Sequence, residues 1–333
     1  MLADGVNSSI SSKKAQWFFR LGEAISGFLF DVIDSKAEPA TGSAVTVSTG
    51  QEILAGSAHE MLTLGNAFFR KKGNVCYYEN DTSLVGHVRI AINMANLEAQ
   101  TLSVYDAILD VVGSRSFCRI WNYIPNINQE GETHIEAYKL FCSGRSRAFA
   151  NAYGGVCSDR FSAASATGCT GEFMTVVFMS SHLSVDHGEN PQQTPAYKYP
   201  EQDGPRAPSF ARISRIVGKD GDEWVFVSGT AAIKSSESQF VGDLSSQVEM
   251  TLENIGLTLT SIGLHLMDAY PKRRRHFRVY LRRRADLNRL LVELQKVLEP
   301  SDTYSVVEAD ICRTELDVEI ELTIFPASLA VPV

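Results

Sequence analysis

An α+β fold with mixed sheets, built from two tandem β-β-α-β-α-β units packed around one site, is what the sequence predicts. Three observations carry it. The chain's 333 residues amount to about two domains at roughly 150 residues each. A polar, Pro- and Gly-rich stretch, DHGENPQQTPAYKYPEQDGPRAP from Asp186 to Pro208, divides the chain, as a linker or a long loop over a site does. The two halves also repeat one order of elements. The expected units are residues 1–190 and 191–333.

The second half is the clearer. Phe210 to Val217 is strand-like, Gly218 to Gly221 turns with Lys219 and Asp220, and Glu223 to Val227 returns as a hairpin partner. Asp243 to Ile262 places Leu244, Val248, Leu252, Ile255 and Leu259 at steps of three and four, one face of a helix. His276 to Leu281 alternates Phe277, Val279 and Leu281 against Arg278, Tyr280 and Arg282. Ala285 to Leu298 is an amphipathic helix with Asp286 in its first turn, where the helix dipole favours negative charge. Val318 to Ile324 alternates again, with Glu319, Glu321 and Thr323 on one face.

The first half echoes this order. Ala99 to Val112 is a helix ending before Gly113, Phe117 to Ile124 a strand, and Ile135 to Phe149 a helix. SAASATGCTGEFMTVVF from Ser162 and SVVEADICRTELDVEIE from Ser305 share Ser, Ala, Cys and Glu at matching places. Ser162 to Ser305 and Cys169 to Cys312 are both separated by 143 residues, which suggests an ancient duplication. In that alignment Glu319 stands opposite Val176, so a single site using the second copy's carboxylate is expected.

Hydrophobic residues make up 44% and charged residues 21%, which excludes disorder, collagen-like repeats and coiled coils. With 31 Lys and Arg against 39 Asp and Glu, the net charge of −8 disfavours nucleic acid and anionic membranes as partners. An anionic ligand would need positive charge concentrated in one pocket. The basic run KRRRHFRVYLRRR, Lys272 to Arg284, reads as a solvated strand edge. No apolar run approaches the ~20 residues of a membrane span. Met1 to Lys14 is Ser- and Asn-rich, so a cytoplasmic location is expected. The six cysteines form no CxxC pair and are expected to be reduced and mainly buried. His182 and His187 make a weak metal site and a better loop. No Walker loop, GxGxxG or GxSxG is present, so no metal or cofactor is expected.

DGPRAPSFA at Asp203 to Ala211, FVSGTAAI at Phe226 to Ile233, Gly242-Asp243 before a helix, and VEIE at Val318 to Glu321 resemble the YjgF/RidA-like fold over about residues 205–325. That resemblance implies a chorismate-mutase-like architecture, with an Arg and a Glu near the final strand in an anion-binding cleft. Over nearly its full length the chain resembles the chorismatases. The segments are WNYIPNIN (Trp121 to Asn128), EAYKLFCSGR (Glu136 to Arg145), AYKYPEQDGPRAPSFAR (Ala196 to Arg212), SGTAAI (Ser228 to Ile233) and ICRTELDVEIE (Ile311 to Glu321).

The resemblance implies cleavage of chorismate, a small molecule, to 3-hydroxybenzoate and pyruvate. Chorismate's atoms divide completely between those products, so no oxidant, metal or nicotinamide is needed. The hard step is protonation of the enol ether's terminal methylene, which needs a carboxyl group with a raised pKa. By resemblance Glu319 is that acid and Glu321 its understudy; the residues alone favour a solvated strand face. Cys312 sits where the 3-hydroxybenzoate-forming branch carries a thiol, and Ala231 is a second product-determining wall. Tyr138 and Arg145, two helical turns apart, would bind a carboxylate of the substrate, with Tyr199, Arg212 and Arg282 as further binders. RidA-like proteins are usually trimers; two copies in one chain would supply that interface internally, so a monomer is expected. Rival readings are hydrolysis to a dihydroxy-cyclohexadienoate, formation of 4-hydroxybenzoate, a RidA-type imine deaminase, and a non-catalytic ligand-binding module.

Overall fold

A computed structural model describes residues 13–19, 30–31, 45–57, 59–61, 67–131, 134–155, 157–200, 205–218, 221–267 and 272–327. The expected turn residues Lys219 and Asp220, and the stretch before Lys13, lie outside these.

In chain order the strands are β1 (Lys13–Phe19), β2 (Phe30–Asp31), β3 (Val45–Gly56), β4 (His59–Met61), β5 (Phe68–Lys72), β6 (Val75–Glu79), β7 (Ser83–Ala91), β8 (Ser116–Pro125), β9 (Ala163–Cys169), β10 (Phe173–Ser181) and β11 (Val185–Gly188). There follow β12 (Ile213–Val217), β13 (Glu223–Thr230), β14 (Ile233–Lys234), β15 (Glu237–Ser238), β16 (Arg273–Leu281), β17 (Thr303–Glu308) and β18 (Val318–Pro326). The helices are α1 (Leu97–Val112), α2 (Ala137–Tyr153), α3 (Leu244–Thr260) and α4 (Leu287–Leu294). Among the described residues no helix is long and apolar enough to cross a membrane.

The smaller sheet runs β5-β6-β7-β10-β8-β9 and the larger β11-β12-β13-β18-β16-β17-β3-β1-β4, with β2 on β3. Each contains the same core: an antiparallel hairpin, a last strand inserted beside it, and a parallel pair. The parallel pairs are β8 with β9 and β16 with β17. Each repeat therefore has one strand more than the hydrophobic pattern suggested. The added strands, β9 and β17, run SATG- and SVV-like through buried positions, and a strand covered on both faces does not alternate. The chain's halves are also not the halves in space. β3 pairs with β17, and β11 with β12, so both join the larger sheet although they precede residue 190.

Layers follow from alternation along the strands. On the outer face of the smaller sheet, Ile120, Val176 and Phe178 pack under α1 and α2 with Tyr105, Phe141 and Phe149. On the outer face of the larger sheet, Val279, Ile320 and Leu322 pack under α3 and α4 with Val248, Ile255 and Leu290. The inner faces meet through Trp121, Tyr123, Val177, Phe226, Tyr280 and Val307. The order is helix, sheet, sheet, helix.

The ladders correct the duplication's register. Val177 pairs with Trp121, which pairs with Ser165; Glu319 pairs with Tyr280, which pairs with Val307. Glu319 and Val177 both face inward, whereas Val176 packs outward under the helices. The 143-residue motif match is thus one residue out of structural register, and a one-residue slip exchanges the faces of a strand. A valine still stands where the second copy has its carboxylate.

The basic run is not a solvated edge. β16 is central, between β18 and β17, so Arg275 and Arg278 are buried and Arg273 finds an acid, while Arg274 stays exposed. Arg275 is buried and holds Asp302 through Nε at 2.9 Å. Arg278 is buried and donates to Gln51 Oε1 at 3.2 Å. Arg273 pairs with Glu223, Arg283 with Asp317, and Arg284 with Glu308.

Removing one partner of a buried pair strands the other charge, typically at about 3–5 kcal/mol. The Arg275 and Asp302 side chains are 3% and 2% exposed. Asp302→Ala is therefore expected to lower unfolding free energy in urea by about that amount. A loss below about 1 kcal/mol would show that Arg275 finds water or another acceptor instead.

Candidate active site

β18 carries Glu319 and Glu321 on its inner face, between the sheets. Opposite them β13 bulges: Val227 pairs with Leu322 and Thr230 with Ile320, so two residues on β13 face one on β18. Between this bulge, the start of α2 and two loops lies a cavity of about 220 Å³. Glu319, Cys312, Tyr138, Tyr199, Arg212 and Ala231 line it, with Gly229, Phe210, Arg313, Glu136 and Lys139. A recess of about 30 Å³ continues past Tyr138, Cys312 and Glu319 to Arg145, Cys142 and Ser165. The polar 186–208 stretch does cover a site, since Tyr199 and Pro208 form part of the wall.

The two carboxyls differ in their partners. Glu321 accepts from Tyr280 OH at 2.7 Å and from Trp121 Nε1 at 3.0 Å, and pairs with Arg119 Nη2 at 2.8 Å. Its acceptor capacity is taken up by the scaffold. Glu319 lines the cavity and is 4% exposed. Burial, then the neighbouring Glu321 charge, raise its carboxyl to about 8, against the lowering pull of Arg119, Arg212 and Arg282. Neither carboxyl stands on a solvated strand face.

Cys312 Sγ lies 4.0 Å from Glu319 Oε2. Burial first, and the Glu319 charge second, push this thiol above its ordinary range. It is held as a thiol, suited to passing a proton and not to attacking as a thiolate. All six cysteines are free; Cys118, Cys142 and Cys157 are buried and the other three partly so.

The arginines divide by their contacts. Arg145 is buried under the recess, its guanidinium over the Tyr105 ring at 5.2 Å, and its Nε and Nη2 have no hydrogen-bond partner. Arg212 donates to Tyr199 OH at 2.8 Å and lies 4.0 Å from Glu189, while its Nε makes no hydrogen bond. Burial raises the Glu189 carboxyl to about 7, with Arg212 opposing. Arg282 is different. It donates to Asn128, Asp310 and the carbonyls of Ile311, Arg313 and Leu316, and it is not in the cavity wall. Its geometry braces the loop that presents Cys312, in place of the substrate contact expected for it.

Arg313, Glu136, Lys139, Phe210, Gly229 and Glu189 were not anticipated. Arg313 follows Cys312 in ICRTELDVEIE, and Gly229 lies inside SGTAAI, so both were within the diagnostic segments. Among the described residues no group of three or more His, Cys, Asp and Glu is placed to hold a metal ion. His187 lies on β11, with Nδ1 2.9 Å from Ser214 Oγ.

Residues 63–180 match the family model described as chorismatase FkbO/Hyg5-like, N-terminal. A 3-hydroxybenzoate synthase of Streptomyces hygroscopicus is 34% identical over 222 residues, covering 64% of this chain and 65% of that protein. A chorismatase of Streptomyces rapamycinicus is 33% identical over 235 residues, covering 67% and 69%. The chain thus spans about two thirds of the length of these curated relatives. A crystal structure of a chorismatase superposes with a TM-score of 0.70 at 28% identity, over 77% of this chain and 78% of that one.

A carboxyl raised to about 8 is mostly protonated at neutral pH. Infrared difference spectra of wild type against Glu319→Gln are expected to contain a protonated-carboxyl C=O band at neutral pH. That band should fade as pH rises through about 8. A carboxylate signal already complete at neutral pH would remove Glu319 as a proton store.

Proposed function

The chain belongs to the chorismatase family, and on that premise we propose that it cleaves chorismate to 3-hydroxybenzoate and pyruvate. The observation that carries this reading is Glu319, a carboxylic acid held protonated near neutral pH in the wall of a cavity whose buried cations lack full sets of partners.

The chemistry follows from those groups. Glu319 gives its proton to the terminal methylene of the enol ether, leaving an oxocarbenium-like centre and a carboxylate. Arg119 and Arg212, whose charges favour the ionised form of Glu319, stabilise that carboxylate. The substrate's own hydroxyl attacks the activated centre and gives up its proton, forming a cyclic ketal. The ring's bond to that former hydroxyl oxygen then breaks as the neighbouring ring carbon loses its proton and the ring becomes aromatic. The hemiketal left behind collapses to the hydroxybenzoate and pyruvate, whose keto oxygen is the former hydroxyl. Glu319 takes the proton back, with Cys312 as relay. No atom is added or left over. Arg145 in the recess and Arg212 with Arg313 at the mouth suit the two carboxylates of the substrate. Tyr138 and Tyr199 close the space between them, and Ala231 and Cys312 narrow it against water.

The 3-hydroxybenzoate product rests on Cys312 and on the name of the Streptomyces hygroscopicus relative. We further propose a monomer acting in the cytoplasm, without nucleic acid or membrane as partner. In support, the inter-sheet contact forms within one chain, and the Lys272 to Arg284 run is engaged by internal acids.

Glu319→Gln is expected to keep its circular dichroism and lose roughly 10²–10⁴-fold in kcat. In wild type, kcat/KM should fall as pH rises through about 8, because the acid is lost there. More than about a tenth of wild-type kcat in the variant would refute the assignment. Cys312→Ala should keep releasing pyruvate but shift the organic product toward the dihydroxy-cyclohexadienoate, one water heavier. Product mass spectrometry reads this directly, and an unchanged ratio would return Cys312 to the role of a buried cysteine. Formation of 4-hydroxybenzoate, or deamination of an imine without action on chorismate, would replace the proposed reaction.

A further inference from the structure

Gly229 sits in the β13 bulge, and its backbone does not require glycine: its φ lies outside the left-handed region that ten other glycines occupy. What it lacks is room for a side chain. A Cβ there would collide with Glu319 Oε1, lie 2.7 Å from Glu319 Cδ and 3.1 Å from Ser165 Cβ. Among the described glycines, Gly229 alone has a carboxyl oxygen as the nearest atom to the missing side chain. The bulge is fixed from outside the cavity. Ser228 N donates to Arg212 O at 2.9 Å, and its hydroxyl donates to Ala211 O at 2.6 Å while accepting from Ala164 N at 2.9 Å.

We propose that Gly229 is a positioning residue: the bare bulge of β13 is the seat that holds the Glu319 carboxyl at its point of proton delivery. This rests on the reaction read above. A methyl group at residue 229 meets the free end of a side chain, so the carboxyl swings into the cavity and the backbone stays. The fold survives and the acid is misplaced, and misplacing a catalytic group by about 1 Å costs about 10²-fold. The swung carboxyl also leaves the surroundings that set its proton affinity, namely its burial first and then Glu321, Arg119, Arg212 and Arg282.

The test compares Gly229→Ala in the wild-type and Glu319→Ala backgrounds, with chorismate as substrate. In the wild-type background kcat should fall about 10²-fold, KM should change by less than about threefold, and the alkaline limb of kcat/KM should move below its wild-type position. Any loss of Tm caused by Gly229→Ala should vanish in the Glu319→Ala background, where no carboxyl competes for the space. An unchanged kcat and limb overturns the proposal. So does an equal loss of Tm in both backgrounds, which would make Gly229 a packing glycine only. If wild type releases no pyruvate from chorismate, the reading of the reaction fails, and the two melting comparisons still decide the seat.

Discussion

Two carboxyl groups stand two residues apart on the buried face of β18, and only one of them is given partners enough to remain charged. Burying an ion is unfavourable unless hydrogen bonds and an opposite charge replace its water. Glu321 receives that replacement from Arg119, Trp121 and Tyr280. Glu319 sits beside the charge so fixed, and like charges at close range disfavour ionisation of the second. A proton is thereby stored on Glu319. Because Arg119 and Trp121 come from β8 and Tyr280 from β16, the contacts that saturate Glu321 also join the two sheets.

The repeat explains why there is one such place. At the first copy's equivalent position Val177 faces the shared core, so that copy has no acid to deliver. It supplies instead what the acid needs: Arg119 and Trp121 on β8, and Tyr138 and Arg145 on α2. The second copy supplies Glu319, the bulge opposite it and the Cys312 loop. The second copy has Arg212 and Arg313 at the cavity but not Arg119 or Arg145, which only the first copy provides.

Much of this was legible in the sequence, and the parts that were not share a cause. α1, α2 and α3 were readable because each keeps one apolar face at helical spacing. Glu319 and Cys312 were readable because they stand in one contiguous segment with a recognisable order. β9 and β17 were hidden because strands buried on both faces lose alternation. The burial of Arg275 under the helices and of Arg278 between the sheets was hidden because charge near a strand looks solvated until the strand is known to be central. The offset of 143 found a true repeat in a false register, since short identities do not record which face a residue takes. Arg282 was misread because sequence cannot distinguish an arginine saturated by loop carbonyls from one left open.

That last distinction separates scaffold from site. Arg282 and Arg145 are the same residue type a short distance from one acid, yet Arg282 is engaged by five acceptors and Arg145 leaves Nε and Nη2 without one. A buried polar group without a partner costs about 1–3 kcal/mol, and more when it is charged. A fold of marginal net stability retains few such groups unless something outside the chain completes them. Two of the side chains that carry such groups stand at this cavity and its recess: Arg145, through Nε and Nη2, and Arg212, through Nε. A ligand bringing two carboxylates supplies acceptors to the arginines while its own desolvation is offset by charges already in place. The unfilled hydrogen bonds of Arg145 and Arg212 are therefore a preorganised complement to an anion, set beside the protonated Glu319.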